Sequence, residues 1–225
     1  MSSHHKALIL KVWDLPTRLF HWSLLVLVIS CWWTSTKNGD MDSHLRCGYA
    51  VLALLLFRII WGVIGSSSAR FSNFISSPAG VLDYFSRMRN REVIFHATHN
   101  PAGGWMVLAL LGLMMLISTS GLFANDDISV EGPLAHLVSE RISDLFTAIH
   151  AKGFYILLIL VVLHLAAIVF YLLVKKENLV RPMLSGFKPL PQGLAAPEIR
   201  IGSLWLACLV FCAASGAVWL LIRFI

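Results

Sequence analysis

The sequence predicts an all-α transmembrane helical bundle, a four-helix core plus a fifth C-terminal transmembrane helix. Three observations carry this. Of 225 residues, 57% are hydrophobic and only 13% are charged, where an ordinary soluble domain carries roughly 25% Asp, Glu, Lys and Arg. The mean hydropathy is +0.75. Five stretches also reach the roughly 20 apolar residues that a helix needs to cross a hydrocarbon core. Lipid, not water, is the solvent that this much apolar surface requires.

Each span has readable ends. The first covers residues 16–35: Asp14 stands before a proline suited to the opening turn, and Trp32-Trp33 make an interfacial anchor at the far end. Nothing like a small-residue cleavage site follows Trp33, so this span reads as retained and not as a signal peptide. The second covers 43–65, with Ser43 as its expected N-cap, and the third covers 102–123 after the helix-opening Asn100-Pro101. The fourth runs from 143 to 174, its apolar part starting near Leu145, and the fifth from 201 to 224. Residues 1–190 thus hold the four-helix domain and 191–225 the additional helix.

The formal charge is +6, but the basic residues punctuate apolar runs instead of gathering on one polar face, which argues against nucleic acid. They sort by side. One side holds Lys6, Lys11 and Arg18, then Arg70, Arg87, Arg89 and Arg91, then Lys175, Lys176, Arg181, Lys188 and Arg200. The other holds Lys37, Arg46, Arg141 and Arg223, with Lys152 near it. The positive-inside rule puts the N-terminus in the cytoplasm and the C-terminus outside. The inner loop, 66–100, reads as interfacial, with a short amphipathic helix around 81–88 near anionic headgroups. The outer loop, 124–142, is acidic, with Asp126, Asp127, Glu131 and Glu140, and Asp144 follows.

Four cysteines, Cys31, Cys47, Cys208 and Cys212, form no CxxC and no CxxCH, so neither covalent c-type haem nor a zinc ribbon is indicated. Cys208 and Cys212, one turn apart, read as small buried hydrophobes.

Four of the nine histidines, His21, His44, His150 and His164, lie within or at the ends of spans. An ionisable side chain at membrane depth is costly and marks function. His150 and His164 are 14 residues apart, close to four turns, so they share a helix face about 21 Å apart along the axis. That is too far for one metal ion and suits two stacked haems. The helices alternate in direction, so depth pairs His44 with His150 near the outer side and His21 with His164 toward the inner side. Bis-histidine haem b has no open iron position and therefore moves electrons instead of activating a substrate.

Arg18, one turn before His21, is placed to pair with an inner haem propionate. Arg58, 14 residues after His44, lies at the inner depth, where snorkelling to the interface explains it equally well. Gly48 and Gly153, each about one turn from a histidine, would let a porphyrin approach the backbone or simply pack helices. His4, His5, His96, His99 and His136 read as surface residues by default, and His99 is also a candidate member of a quinone or proton site at the inner face. The third and fifth spans carry no histidine and read as scaffold.

Several motifs together resemble the bacterial cytochrome b561 family and the related b-type cytochrome subunits of nickel–iron hydrogenases and formate dehydrogenases. They are Val12-Trp13-Asp14 with Thr17-Arg18-Leu19-Phe20-His21-Trp22, then His44 with Gly48, and His99-Asn100-Pro101-Ala102-Gly103. Further along come Ser120-Gly121-Leu122-Phe123, the His150/His164 pair, and Asn178-Leu179-Val180-Arg181-Pro182-Met183 with Gly186. The resemblance covers about residues 8–190. It implies a four-helix bundle with two bis-histidine haem b groups in a bacterial inner membrane, exchanging electrons with quinone on one side and a redox partner on the other. The fifth span departs from that pattern.

Three functions follow. The chain is a non-catalytic wire between the quinone pool and a periplasmic protein such as a c-type cytochrome, or itself a superoxide:quinone oxidoreductase, or the membrane anchor of a hydrogenase or dehydrogenase. An acidic outer loop suits a basic protein partner and would repel superoxide, which favours the wire. The oligomeric state is left open.

Overall fold

A computed structural model describes residues 8–90, 92, 95–125 and 130–224, without the side chains of Lys37 and Asn38. Among the described residues, five helices are long and apolar enough to cross a membrane. They are α1 (Leu15–Trp33), α2 (Met41–Ile64), α5 (Pro101–Gly121), α6 (Glu140–Leu173) and α8 (Leu204–Phe224). Short helices α3 (Phe71–Phe74), α4 (Pro78–Arg89) and α7 (Val180–Ser185) fill the connections, and two strands, β1 (Ile9–Lys11) and β2 (Phe187–Pro189), pair antiparallel.

The helix starts follow from capping chemistry. Asp14 accepts from Thr17 N at 2.6 Å, and Asn100 accepts from Gly103 N at 2.7 Å, each just ahead of a proline in the first turn. The cap of α2 is Asp40, not Ser43: its carboxylate accepts from Ser43 N at 3.0 Å, which starts the helix two residues earlier than expected. That same hydrogen bond to Ser43 holds the Asp40 carboxyl below its ordinary range. The tight connection before it closes on Gly39 at φ +61°, a left-handed turn that disfavours any side chain. The interfacial helix exists as α4, extended at both ends and capped by Ser77.

Packing places α2 at the centre. It contacts α1, α5 and α8, while α6 packs on α5. An apolar layer joins the four core helices: Val51 and Leu55 of α2, Met114 of α5 and Leu157 of α6 are buried together, with Leu24 and Leu27 of α1 against them. Leu157 falls midway between His150 and His164, so this layer separates the two histidine levels. The fifth helix is an integral neighbour: Ala207, Val210 and Ala214 join Phe20, Leu54, Phe57 and Trp61 in one cluster. Outward faces are as apolar as the core. On α6, Ile159 is 61% and Val162 64% exposed, a surface that only lipid can cover. Cys208 and Cys212 lie on such an exposed face of α8, not buried as the sequence suggested.

Candidate haem-binding site

At the end of the bundle where α1 passes into α2, His44 and His150 face each other. Their ring centroids are 5.9 Å apart and their planes nearly perpendicular, at 85°. The Nδ1 atom of His44 is 2.9 Å from the Cys31 carbonyl, and that of His150 is 2.8 Å from the Ile117 carbonyl. A carbonyl only accepts, so each ring must carry its proton on Nδ1 and keep the Nε2 lone pair free. With their Nε2 atoms free, His44 and His150 are the two neighbouring residues that would hold a haem iron at this end. Among the described residues no group of three or more His, Cys, Asp or Glu comes together to hold a bare ion. A porphyrin brings four nitrogens of its own and would need only two ligands from the protein, which two neighbouring imidazoles with free Nε2 atoms could supply, so the residues present fit it.

Sequence reasoning treated α5 as scaffold, but α5 supplies the Ile117 carbonyl that orients His150. It also supplies Gly121, where a Cβ would stand 2.9 Å from Cε1 and Nδ1 of the His150 ring. The glycine is needed there because the ring lies against its backbone. Gly153 is filled differently: a Cβ would meet the Ile117 side chain at 2.7 Å, a helix–helix contact. At Gly48 a Cβ would meet nothing within 4 Å.

At the opposite end His21 and His164 lie within electrostatic reach of each other, with the Nδ1 of His21 buried and unpartnered. Both ends of the resemblance meet here. The Val12 and Trp13 amides donate to the Gly186 carbonyl at 2.8 and 3.2 Å, and Trp22 Nε1 donates to the Met183 carbonyl at 3.3 Å. Gly186 sits at φ +88° with the Arg18 guanidinium against it. Asp14 is wholly buried and accepts from Trp61 Nε1 at 3.0 Å as well as from Thr17 N. Arg58 is 3% exposed, its guanidinium 4.9 Å over the Phe71 ring and within reach of the Asp14 charge. It is a core residue, and the snorkelling alternative fails.

His99 is no surface residue either. Its ring packs against Trp13 at 4.8 Å and Phe74 at 4.3 Å with Nδ1 enclosed. Burial, then the nearby Arg58 charge, push its pKa down to about 3. His96 packs on Tyr84 and is also lowered, first by burial and then by Lys188. Arg18 Nε, Arg58 Nη1 and the His21 and His99 Nδ1 atoms are all buried without partners. The two arginine nitrogens can only donate, which fits a group rich in acceptors, as a haem carboxylate would be. His136 is exposed, and His4, His5, Asp126 and Asp127 lie outside the described residues.

Neither a curated relative nor a solved structure matches the chain. The family model of prokaryotic cytochrome b561 matches residues 12–186, which takes in all four spanning histidines and both meeting motifs. The chain belongs to the prokaryotic cytochrome b561 family and is an integral membrane b-type cytochrome of electron transfer.

Proposed function

We propose that the chain is a dihaem b-type cytochrome of the bacterial inner membrane, carrying electrons between the quinone pool and a periplasmic redox protein such as a c-type cytochrome. The observation that carries this is the His44–His150 pair, opposed at 5.9 Å with both Nδ1 atoms committed to carbonyls. His44 and His150 hold one haem b; His21 and His164 hold the second. Haem in such a site supplies one-electron chemistry without an open iron position. Arg18 and Arg58 offer charge to propionates at the inner level. The apolar layer around Leu157 keeps water from between the two levels. Lys and Arg weighting supports a cytoplasmic N-terminus and a periplasmic C-terminus.

The partner reading rests on Glu131, Glu140 and Asp144, all exposed at the His44 end, whose charge steers a basic protein and repels superoxide. The test is haem content with redox titration on the purified protein. Two low-spin b haems per polypeptide with two midpoints are expected; one haem, or high-spin iron, refutes the assignment. Quinol-driven reduction of a basic c-type cytochrome should slow as ionic strength rises. A rate insensitive to salt removes the partner.

A further inference from the structure

Cys31 and Cys47 are the two cysteines at the His44 end. Cys31 closes α1, and its carbonyl accepts from Thr34 N and Oγ1 as well as facing His44 Nδ1. Cys47 stands three residues after His44 on α2, one turn along the same side. The hydrogen bond that joins His44 to the end of α1 therefore also brings Cys47 toward Cys31, which packs against the layer holding Val51 and Leu55 of α2, and the two thiols lie within electrostatic reach of each other across the helix interface. Both are free thiols and only partly covered. Cys208 and Cys212 differ in kind: four residues apart on one helix, their Cβ atoms stand about 5–6 Å apart, beyond the roughly 4 Å a disulfide spans.

We propose that Cys31 and Cys47 are a reversible redox pair, a disulfide that staples α1 to α2 and tunes the haem held by His44 and His150. The inference rests on the proposed haem site and on the orientation that turns this end toward the oxidising side. The oxidant is a small-molecule or protein disulfide. One cysteine thiolate attacks a sulfur of that disulfide and expels a thiolate, and the second cysteine attacks the mixed disulfide and expels the other. The two cysteine protons leave on the two released thiols, and the chain loses two electrons. Closing the bond fixes the Cys31 backbone relative to α2, and so changes the hydrogen bond from His44 Nδ1 that sets the basicity of this ligand.

The experiment uses purified holoprotein tagged under denaturing conditions with a thiol-reactive mass label, before and after reduction by a phosphine. Two tags are expected before reduction, on Cys208 and Cys212, and four after it. The double variant Cys31→Ser/Cys47→Ser should show two in both states. Four tags before reduction that persist after incubation with oxidised glutathione overturn the proposal. In the same samples, reduction should shift one of the two haem midpoints in the natural protein and neither in the double variant or in Cys47→Ala. A disulfide that forms while both midpoints stay put overturns the coupling. The tag count needs no haem, so a failed haem assignment reads separately, as absent low-spin bands.

Discussion

The two ends of the bundle each gather a histidine pair, but they prepare it differently. At the His44 end both rings are oriented by neutral hydrogen bonds to backbone carbonyls, Cys31 for one and Ile117 for the other. At the His21 end the His21 Nδ1 has no partner, and charged groups are buried in the same part of the bundle: Asp14 accepts from Trp61 and lies within reach of Arg58, whose charge reaches His99, while Arg18 stands against Gly186. One end is organised by the protein backbone alone. The other keeps unpartnered polar atoms, among them the obligate donors Arg18 Nε and Arg58 Nη1, which an acceptor-rich group would satisfy. The difference suits a division of labour in which the first end tunes a ligand and the second binds by charge.

The largest effects are expected at the histidines proposed to hold haem. His150→Ala should cut haem from two per chain to one, with the remaining midpoint belonging to the other level, since the apolar layer around Leu157 separates them. His21→Ala should do the same in reverse. Haem-to-protein ratio and redox titration read both. If either variant loses both haems, the two ends are not independent and the comparison breaks.

Asp14→Ala comes next and tests the charged end. It strips Arg58 of its nearby counter-charge and Trp61 Nε1 of its acceptor. Removing one partner of a buried charged set costs about 3–5 kcal/mol. Asp14→Asn keeps an acceptor for Trp61 and should recover part of that loss. Thermal denaturation of the purified variants measures both; an unchanged midpoint for Asp14→Ala would mean that the cluster carries no stability.

How far the sequence could anticipate this depends on what kind of group does the work. The spans are readable because a bilayer imposes a length, and the proposal of histidine pairs arises because 14 residues close a near-whole number of turns. Both orienting acceptors were invisible, since a backbone carbonyl such as Ile117 O has no residue type to signal it. The start of α6 was missed by three residues because Glu140, Arg141 and Asp144 hide a helix turn from any hydropathy reading. The burial of Arg58 and the packing of His99 have no signal in the sequence for a shared reason: their partners, Asp14, Phe71, Trp13 and Phe74, come from distant segments that only the tertiary fold assembles. Ser120-Gly121 and Gly186 did carry a signal in their motifs, and the structure gives it a cause in close approach to His150 and Arg18.

Gly121→Ala probes the backbone-organised end without removing a ligand. The added methyl meets the His150 ring at 2.9 Å, so the ring must turn away from the Ile117 carbonyl. Overpacking costs about 1–3 kcal/mol. The sharper readout is spectroscopic: one of two haem midpoints shifts while the other holds. A shift in both, or in neither, would show that Gly121 acts on the fold and not on the ligand.

The smallest effect is a pH dependence at the His21 end. His99 has its pKa lowered to about 3 by burial and by Arg58, below the ordinary value of 6.5. Above pH 6.5 the folded and unfolded chains both hold it neutral, and it leaves stability unchanged. As pH falls below 6.5 the unfolded chain takes up a proton that the folded chain refuses, so stability drops progressively toward pH 3. At pH 5 this amounts to about 1–2 kcal/mol, allowing for the part of the ring that reaches solvent. His99→Phe, which keeps a ring against Trp13 and Phe74, should lose less stability than the natural protein between pH 6.5 and 5. If the two fall in parallel, the acid sensitivity of this end lies elsewhere, and His99 is only a packing residue between two aromatic rings.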